Sequence, residues 1–521
     1  MPDPVLIVGA GPTGLIMACE LLTLGVPCRL IDRLEQPVTT SRSFTIHART
    51  LELLDTLGLV DEFLAHGHKS YAMEYHFQGK DETASLNFRE LESLYPFCLI
   101  INQSDTEAIL RQHFAHLGGV IEWQTKLIHL AQSDDTMAVT LEQADGVQET
   151  LQPTWVIGCD GFYSTVRQQL ALPFDGEQYA GEMKMMDVEV TGFTLSDDKI
   201  YYFINKDHML LMTRLPGNNY RVLISDTGQG TKTETARSDF QAVLDQHFHG
   251  AVTLSEPEWT TVFKTGRRKV DTYRSGRVFL AGDAAHINSP AGGQGMNVSM
   301  QDAFNLAWKL AMVMKGQASD ALLDTYERER LPIAAQMQAG TQYLQNIIMA
   351  HGSGMEERIA LTRAPQWNRN AVNQVAGISY TYRTGEATAL TSGDRVPNVE
   401  YGGGAYFYNL IDRAVPTLVL LLADDSTAED FAALEALVAE VIRDVTAPLI
   451  VRYIVSDAPA AEIEPHEDMI IDGPGSIRDR FSAREITRMF VIRPDRHIDF
   501  EADSRDSLLA HLQQYYTRAQ V

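Results

Sequence analysis

The chain has 521 residues, enough for about three domains at roughly 150 residues each and for a large buried core. Its 43 Lys plus Arg stand against 69 Asp plus Glu, a formal charge of −26 that repels phosphate backbones and anionic membrane surfaces and argues against a nucleic-acid partner. With 45% hydrophobic and 21% charged residues, the composition is that of a folded globular protein, neither disordered nor fibrous.

Val5-Leu6-Ile7-Val8 is a continuous apolar run, which predicts a strand buried on both faces, and it leads directly into Gly9-Ala10-Gly11-Pro12-Thr13-Gly14. A helix follows, with Leu15, Ala18, Leu21 and Leu22 at helical spacing until Gly25, and Val26 to Ile31 predicts a second strand ending at Asp32. The stretch from Val5 to Leu24 imitates a secretory h-region, but it lacks a basic flank and carries three glycines and Glu20, so it is expected to be structure. No uncharged apolar stretch reaches the roughly 18 residues of a membrane span. Cys19, Cys28, Cys98 and Cys159 form no CxxC pair or disulfide framework, which fits a reducing cytoplasm.

From Tyr71 to Asn87, and again from Gly181 to Asp226, apolar and polar residues alternate, predicting an inserted antiparallel sheet. Arg277 to Ala281 is another buried strand, and a long helix begins near Met296 with Ala303, Leu306, Ala307, Leu310, Ala311 and Met314 on one face. Residues 351–395 are rich in turn formers, among them Gly352, Gly354, Pro365, Asn368 and Asn370, and are expected to connect to a further domain. That domain reads as small and α/β: strands at Thr417–Leu422 and Leu449–Val455, a helix at Ala428–Val445, a hairpin from Met489–Ile492 and His497–Phe500, and a last helix at Ser504–Tyr516.

Three segments carry chemistry. In Gly9-x-Gly11-x-x-Gly14 the glycines permit a tight turn and let backbone N–H groups and a helix N-terminus approach a pyrophosphate, and Asp32 at the end of the next strand can accept hydrogen bonds from an adenosine ribose. The plain alternative is an ordinary glycine-rich turn. In the second, Trp155 to Gly161 is a strand ending in Asp160-Gly161 at the sheet edge where ligands bind, followed by Ser164, Val166 and Arg167; more plainly, Asp160 is a helix cap and Arg167 a surface charge. The third runs from Gly282-Asp283 through Pro290-Ala291-Gly292-Gly293-Gln294-Gly295-Met296-Asn297. Its glycines remove side chains that would hold a flat ring off the backbone, and the helix start near Met296 offers free N–H groups and a positive dipole end. A reduced flavin carries negative charge at its N1 and C2 carbonyl edge, and Asp283 suits a polyol such as a ribityl chain; otherwise Asp283 simply caps a helix.

Together the three segments resemble the group A flavoprotein monooxygenases, single-component aromatic hydroxylases that include the p-hydroxybenzoate and phenol hydroxylases. The resemblance spans residues 1 to about 350 and continues through Asn305-Leu306-Ala307-Trp308-Lys309-Leu310. It implies an α/β fold: a Rossmann-like FAD-binding domain (1–70, 96–175, 264–350), an inserted antiparallel β-sheet substrate domain (71–95, 176–263), a connecting segment (351–394) and a thioredoxin-like C-terminal α/β domain (395–521) without a redox dithiol. It implies FAD on Gly9, Gly11, Pro12, Thr13 and Gly14, with Asp32 at the adenosine, Arg33 as a further cofactor-binding residue, Arg42 at the pyrophosphate and Gln103 on the chain side. Asp160 and Arg167 serve FAD or nicotinamide, Asp283 the ribityl chain, and Pro290, Gly293, Gly295, Met296 and Asn297 the ring. The family usually carries Glu where this chain has Asp32.

The reaction so implied takes NADPH or NADH, dioxygen and a small aromatic substrate. Reduced flavin and dioxygen form a C4a-hydroperoxide that hydroxylates a phenolic ring, with a base or acceptor helping at the substrate hydroxyl. His47 is the candidate catalytic residue, set against a packed role beside Leu51 and Leu54; Tyr201, Tyr202 and Arg214 lie on the sheet expected to roof the substrate, and Arg268 matches a recurrent family arginine. No metal is implied, and a homodimer is left open. Hydroxylation or Baeyer-Villiger oxidation of a polycyclic natural product is the alternative, and a non-catalytic flavin-binding sensor or partner protein is an alternative of another class. A halogenase is disfavoured because no Gly-Trp-x-Trp-x-x-Pro segment occurs.

Overall fold

The computed structural model describes residues 4–39, 42–133, 136–179, 181–226, 236–349, 354–363, 367–457, 463 and 467–517. The chain divides into two compact units: Met1–Cys19, Cys28–Ala303 and Ala334–Ser379 form the first, and Glu20–Pro27, Phe304–Ile333 and Tyr380–Val521 the second.

The first unit is organised by a six-stranded sheet in the order Arg274–Ser275, Val278–Leu280, Val156–Gly158, Val5–Val8, Cys28–Ile31, Ile121–Glu122. All neighbours are parallel except the outermost pair, Arg274–Ser275 with Val278–Leu280. Val5–Val8 and Val156–Gly158 are buried at every position, which is why their sequences are unbroken apolar runs rather than alternating ones. The strands end together: Gly9 N–H donates to Ile31 O (2.8 Å), Cys159 N–H to Val8 O (2.8 Å) and Ala281 N–H to Gly158 O (3.0 Å). The three chemical segments therefore leave one sheet edge side by side, followed by the helices Pro12–Thr23, Thr165–Gln169 and, beyond a longer loop, Gly295–Met314.

The second sheet of this unit has eight strands. Glu182–Thr191, Asn219–Asp226, His208–Arg214, Lys199–Ile204, Ala72–Phe77 and Thr83–Asn87 follow one another, with Thr253–Leu254 and Trp259–Phe263 both pairing to Glu182–Thr191. The expectation of a purely antiparallel insert needs correction, because Lys199–Ile204 pairs with Ala72–Phe77 in parallel. These strands come from two separate insertions, so no hairpin fixes their relative direction. Parity sorts the side chains: Tyr201, Phe203, Leu210, Met212, Val222 and Ile224 pack with Phe240 and Leu244 of the helix Arg237–Phe248, while their immediate neighbours point to the opposite face.

Helices Met355–Thr362 and Trp367–Val375 occupy much of the stretch whose composition reads as a connection. Their polar, turn-forming residues hide helices that pack one face only. Gly352 and Pro365 lie outside the described residues.

The second unit contains a five-stranded mixed sheet in the order Met469–Ile471, Ile450–Val455, Thr417–Leu421, Arg488–Ile492, Ile498–Ala502. The first two pairings are parallel and the last two antiparallel. Helices Ala428–Asp444 and Arg505–Tyr515 stand close to their expected bounds. A buried ionic cluster lies in this unit: Lys309 donates to Glu329 (2.7 Å) and Asn305 (2.8 Å), and Arg493 donates to Glu329 (2.7 Å) and to Asp495. Burial lowers the Lys309 pKa to about 8, against the pull of Glu329. None of the four cysteines is joined in a disulfide. Among the described residues, no helix is long and apolar enough to cross a membrane.

Candidate active site

Gly9 has φ +105°, and a Cβ there would lie 2.4 Å from the Cys159 carbonyl oxygen; one on Gly14 would lie 1.9 Å from Gly9 O. Both positions are closed to any side chain. Gly11 is different, since a Cβ there meets nothing within 4 Å and the residue faces a cavity of about 580 Å³. Pro12 and Thr13, at the start of the helix Pro12–Thr23, line the same cavity. Asp32 braces this loop, its Oδ2 accepting Ala10 N–H (2.7 Å) and its Oδ1 accepting Leu34 N–H (2.9 Å).

Asp160 accepts from the Ser164 hydroxyl (2.5 Å) and from Thr165 N–H (2.6 Å) and Val166 N–H (3.1 Å), capping the helix Thr165–Gln169. Burial raises its pKa, opposed by those hydrogen bonds. Arg167 is buried rather than a surface charge: it donates to Ala284 O (2.8 Å) and Phe162 O (2.8 Å), with its guanidinium 3.9 Å from the centre of the Phe174 ring. The Asp-Gly segment is thereby tied to the Gly282–Ala284 turn, and Cys159 and Gly161 on either side of Asp160 face the cavity.

Gly282 has φ +62° and donates to Asp302 Oδ2 (2.9 Å), which also meets His286 Nε2 at 2.8 Å. Asp283 projects into the cavity and accepts from the Ser299 hydroxyl (3.3 Å); loss of bulk water raises its carboxyl pKa, opposed by nearby His286. Gly293 has φ +64°, and a Cβ there would lie 2.2 Å from Thr45 Oγ1. Asn297 locks this turn from behind, donating to Gly293 O (3.0 Å) and Thr45 O (2.9 Å) and accepting His47 N–H (2.8 Å). His47 Nε2 lies 2.8 Å from Gly292 O. A carbonyl can only accept, so Nε2 carries the proton and Nδ1 is left as a buried acceptor without a partner. Burial lowers the His47 pKa from 6.5 to about 4, so the ring is neutral at pH 7.

The opposite wall of the cavity is the free face of the eight-stranded sheet, with Ile200, Tyr202, Met209, Leu211 and Leu223. Tyr202 stacks on Tyr75 with ring centres 4.8 Å apart. Tyr201 belongs to the other face, and Arg214 bonds Gly217 O (2.7 Å) at a strand end. Arg268 donates to Phe174 O (3.0 Å), away from the lining. Of the residues expected at the site, Gly11, Pro12, Thr13, Arg42, Gln103, Asp283, Pro290, Gly293, Gly295 and Met296 line one cavity. Gly9, Gly14, Asp32, Asp160, Asn297 and His47 stand behind it, and exposed Arg33 is also outside the lining. Sequence reasoning missed Phe44, Trp259, Phe263 and Gln345, which no motif marks, and Asn288, which lies inside the third segment without being singled out.

The family model of the FAD binding domain matches residues 3–341. The chain is 41% identical over 510 residues to pentachlorophenol 4-monooxygenase of Sphingobium chlorophenolicum, covering 96% of this chain and 93% of that protein. The chain belongs to the FAD-dependent aromatic monooxygenases. This monooxygenase is also 40% identical over 341 residues to 6-methylpretetramide 4-monooxygenase of Streptomyces rimosus, over 65% of this chain and 61% of that one. Among solved structures, the anhydrotetracycline hydroxylase OxyS of Streptomyces rimosus superposes with a TM-score of 0.73 at 26% identity, over 99% of each chain.

The loop wall of the monooxygenase fits its cofactor. Gly11 and Gly295 present open backbone to the cavity at the first turns of two helices, where N–H groups lack intrahelical partners and the dipole favours anions.

Proposed function

We propose that the protein hydroxylates a phenolic or closely related aromatic ring with dioxygen, drawing electrons from NADH or NADPH. One observation carries this reading: a single cavity has a glycine-lined wall of helix starts on one side and an apolar, aromatic-bearing sheet face on the other. Bound FAD supplies the two-electron reductant that activates dioxygen. Gly11, Pro12, Thr13, Arg42 and Gln103 hold its pyrophosphate side. Asp32 holds the adenosine ribose, since a carboxylate oxygen that already accepts one N–H can accept a hydroxyl as well. Asp283 binds the ribityl hydroxyls, and the helix start at Gly295–Met296 faces the electron-rich ring edge. His47 and Asn297 act as positioning residues that hold the Gly292–Gly293 turn; His47, buried behind that turn, is not placed to serve as the base at the substrate. The apolar sheet wall excludes water and orients the ring.

The relative that acts on 6-methylpretetramide supports a second reading, a polycyclic substrate. The C-terminal unit is assigned a thioredoxin-like role in structure only: its central strands run in the order second, first, third, fourth of that fold, and it contains no cysteine. Dependence on reduced nicotinamide and four cysteines with no disulfide among them fit a cytoplasmic enzyme.

The purified protein should carry flavin absorbance, and a screen of substituted phenols should find one that speeds NAD(P)H consumption and yields a hydroxylated product by mass spectrometry. Asp283→Ala should weaken FAD retention. Consumption unaffected by every phenol tested, or stimulated without oxygenated product, overturns the reading.

A further inference from the structure

The cavity has a third border besides the loop wall and the sheet wall. The last turns of the helix Ala321–Met349 present Gln345 and Ile348 to it, three residues apart and therefore on one face. This border adjoins the Gly292–Gly293 turn, because a Cβ on Gly292 would stand 3.0 Å from Leu344 Cδ1, and Gln345 bonds Ser289 just before that turn. Gln345 is the polar group that the helix brings to this end of the space.

Its amide is committed at one end. Ser289 Oγ accepts Ala291 N–H (3.2 Å), so its own proton is free to donate, and it goes to Gln345 Oε1 (2.5 Å). That bond fixes which end of the amide is oxygen and leaves Nε2, with two donor hydrogens, at the other. Gln345 keeps 8% of its surface exposed within the cavity lining, and Nε2 has no partner among the described residues without being sealed from solvent. Water can serve such a donor while the cavity is open. A ligand that displaces the water has to supply an acceptor in its place or leave the N–H groups unpaired, which is unfavourable.

Two kinds of acceptor come to this end, the edge of a bound flavin and the oxygen of the substrate. The flavin edge is met by backbone N–H groups of the loop wall, as argued above. We infer that Gln345 is a specificity-determining residue whose Nε2 donates to the oxygen of the phenolic substrate, while Ser289 acts as a positioning residue that holds the amide in that orientation. The inference rests on the phenolic reading and adds to it the group that grips the ring. Because the free end of the amide only donates, it selects a substituent by its power to accept.

The test uses the FAD-loaded enzyme and three probes of similar size, 4-chlorophenol, 4-chloroaniline and 4-chlorotoluene. The phenol offers an acceptor oxygen, the aniline a nitrogen that accepts poorly, and the toluene nothing. Dissociation constants are read from perturbation of the flavin absorbance. The wild type should prefer 4-chlorophenol to each of the others by about tenfold or more. Gln345→Met, which keeps the length of the side chain without the amide, should lose that preference while binding 4-chlorotoluene as the wild type does and keeping its FAD content. Ser289→Ala should lose part of the preference alone and change nothing further in the Gln345→Met background, and it serves by itself if the methionine variant does not fold. A preference that survives in Gln345→Met, parallel weakening of all three probes, loss of FAD, or 4-chloroaniline bound as tightly as 4-chlorophenol overturns the assignment. A wild type that binds none of the probes defeats the phenolic reading as well, a result distinct from a wild type that discriminates and a variant that still does.

Discussion

The loop wall of the cavity keeps its shape through backbone that only glycine can adopt or approach, whereas the sheet wall keeps its shape through side chains of one parity along each strand. Gly9, Gly14, Gly282 and Gly293 are each closed by a main-chain or side-chain atom within 2.6 Å of where a Cβ would stand. Met209, Leu211 and Leu223 face open space on one side and well-packed neighbours on the other. A wall of the first kind tolerates almost no change and binds one ligand; a wall of the second kind can be resized while the first is left alone. Gly14→Ala is the harshest way to break the comparison. Its new methyl would stand 1.9 Å from Gly9 O, with Gly9 held by its N–H bond to Ile31 O and Gly14 held in the helix Pro12–Thr23. A loss of more than about 4 kcal/mol is expected, read as a collapse in soluble yield or melting temperature. A variant that melts like the wild type would show that the loop wall is not rigid.

The next effect comes from behind that wall and depends on pH. His47 has a pKa of about 4 in the folded protein against 6.5 for an ordinary histidine, so folding favours the neutral ring. Its contribution is fully present above pH 6.5 and is lost as pH falls toward 4, because the unfolded chain then binds a proton that the folded protein refuses; the shift amounts to about 3 kcal/mol. His247 is also held down to about 4, by burial and by His208, and adds a slope of the same sign. The measurement is therefore a difference: urea unfolding of the wild type and His47→Asn at pH 7.5 and 4.5, in which the variant should lose less stability on acidification. Equal losses would mean that the Gly292–Gly293 turn does not depend on a neutral imidazole.

Gly11→Val sharpens the contrast within the loop wall itself. Its side chain enters the cavity and not the protein, so the fold should survive while FAD retention falls about a hundredfold, about 2.7 kcal/mol. Flavin absorbance per protein and the melting temperature of the cofactor-free form separate the two effects.

The difference between the walls also explains what could be read from the sequence. Glycine at positions 9, 14, 282, 292 and 293 is a requirement of the backbone, and at 11 and 295 it leaves the backbone open to the cavity; both demands are written in residue identity at fixed spacing, so the loop wall was legible. The buried strands Val5–Val8 and Val278–Leu280 were legible for a related reason, since burial on both faces leaves only apolar choices. The sheet wall was not. In Lys199–Ile204 and His208–Arg214 both faces are buried, one against a helix and one against the cavity, so polarity does not say which parity meets the substrate. Trp259, Asn288 and Gln345 reach the cavity from a short edge strand, a loop and a helix far apart in the chain, a juxtaposition that exists only after folding. Arg167 stood open between a ligand role and a surface charge because nothing in its neighbours announces that the Ala284 carbonyl, 117 residues onward, will receive it.

The smallest effect tests whether parity really assigns the sheet wall. Leu223 pairs across the sheet with Met185 and Leu211, is almost fully buried, and lines the cavity, whereas Leu210, adjacent to Leu211 on the same strand, packs in the closed core beneath. Truncating Leu223 to alanine enlarges a space that already exists, so no sealed void forms and the stability loss should stay near 1–2 kcal/mol, below that of a closed-core leucine. The added room should shift preference among phenols toward rings with an extra alkyl or halogen substituent by up to about tenfold in kcat/KM, with FAD content unchanged. Leu210→Ala should destabilise more and leave the order of substrates as it was. If the two variants exchange these behaviours, the face of the sheet that meets the substrate has been assigned the wrong way round. If Leu223→Ala also sheds FAD, the two walls are not independent, and the substrate range of this monooxygenase cannot be tuned without disturbing its cofactor.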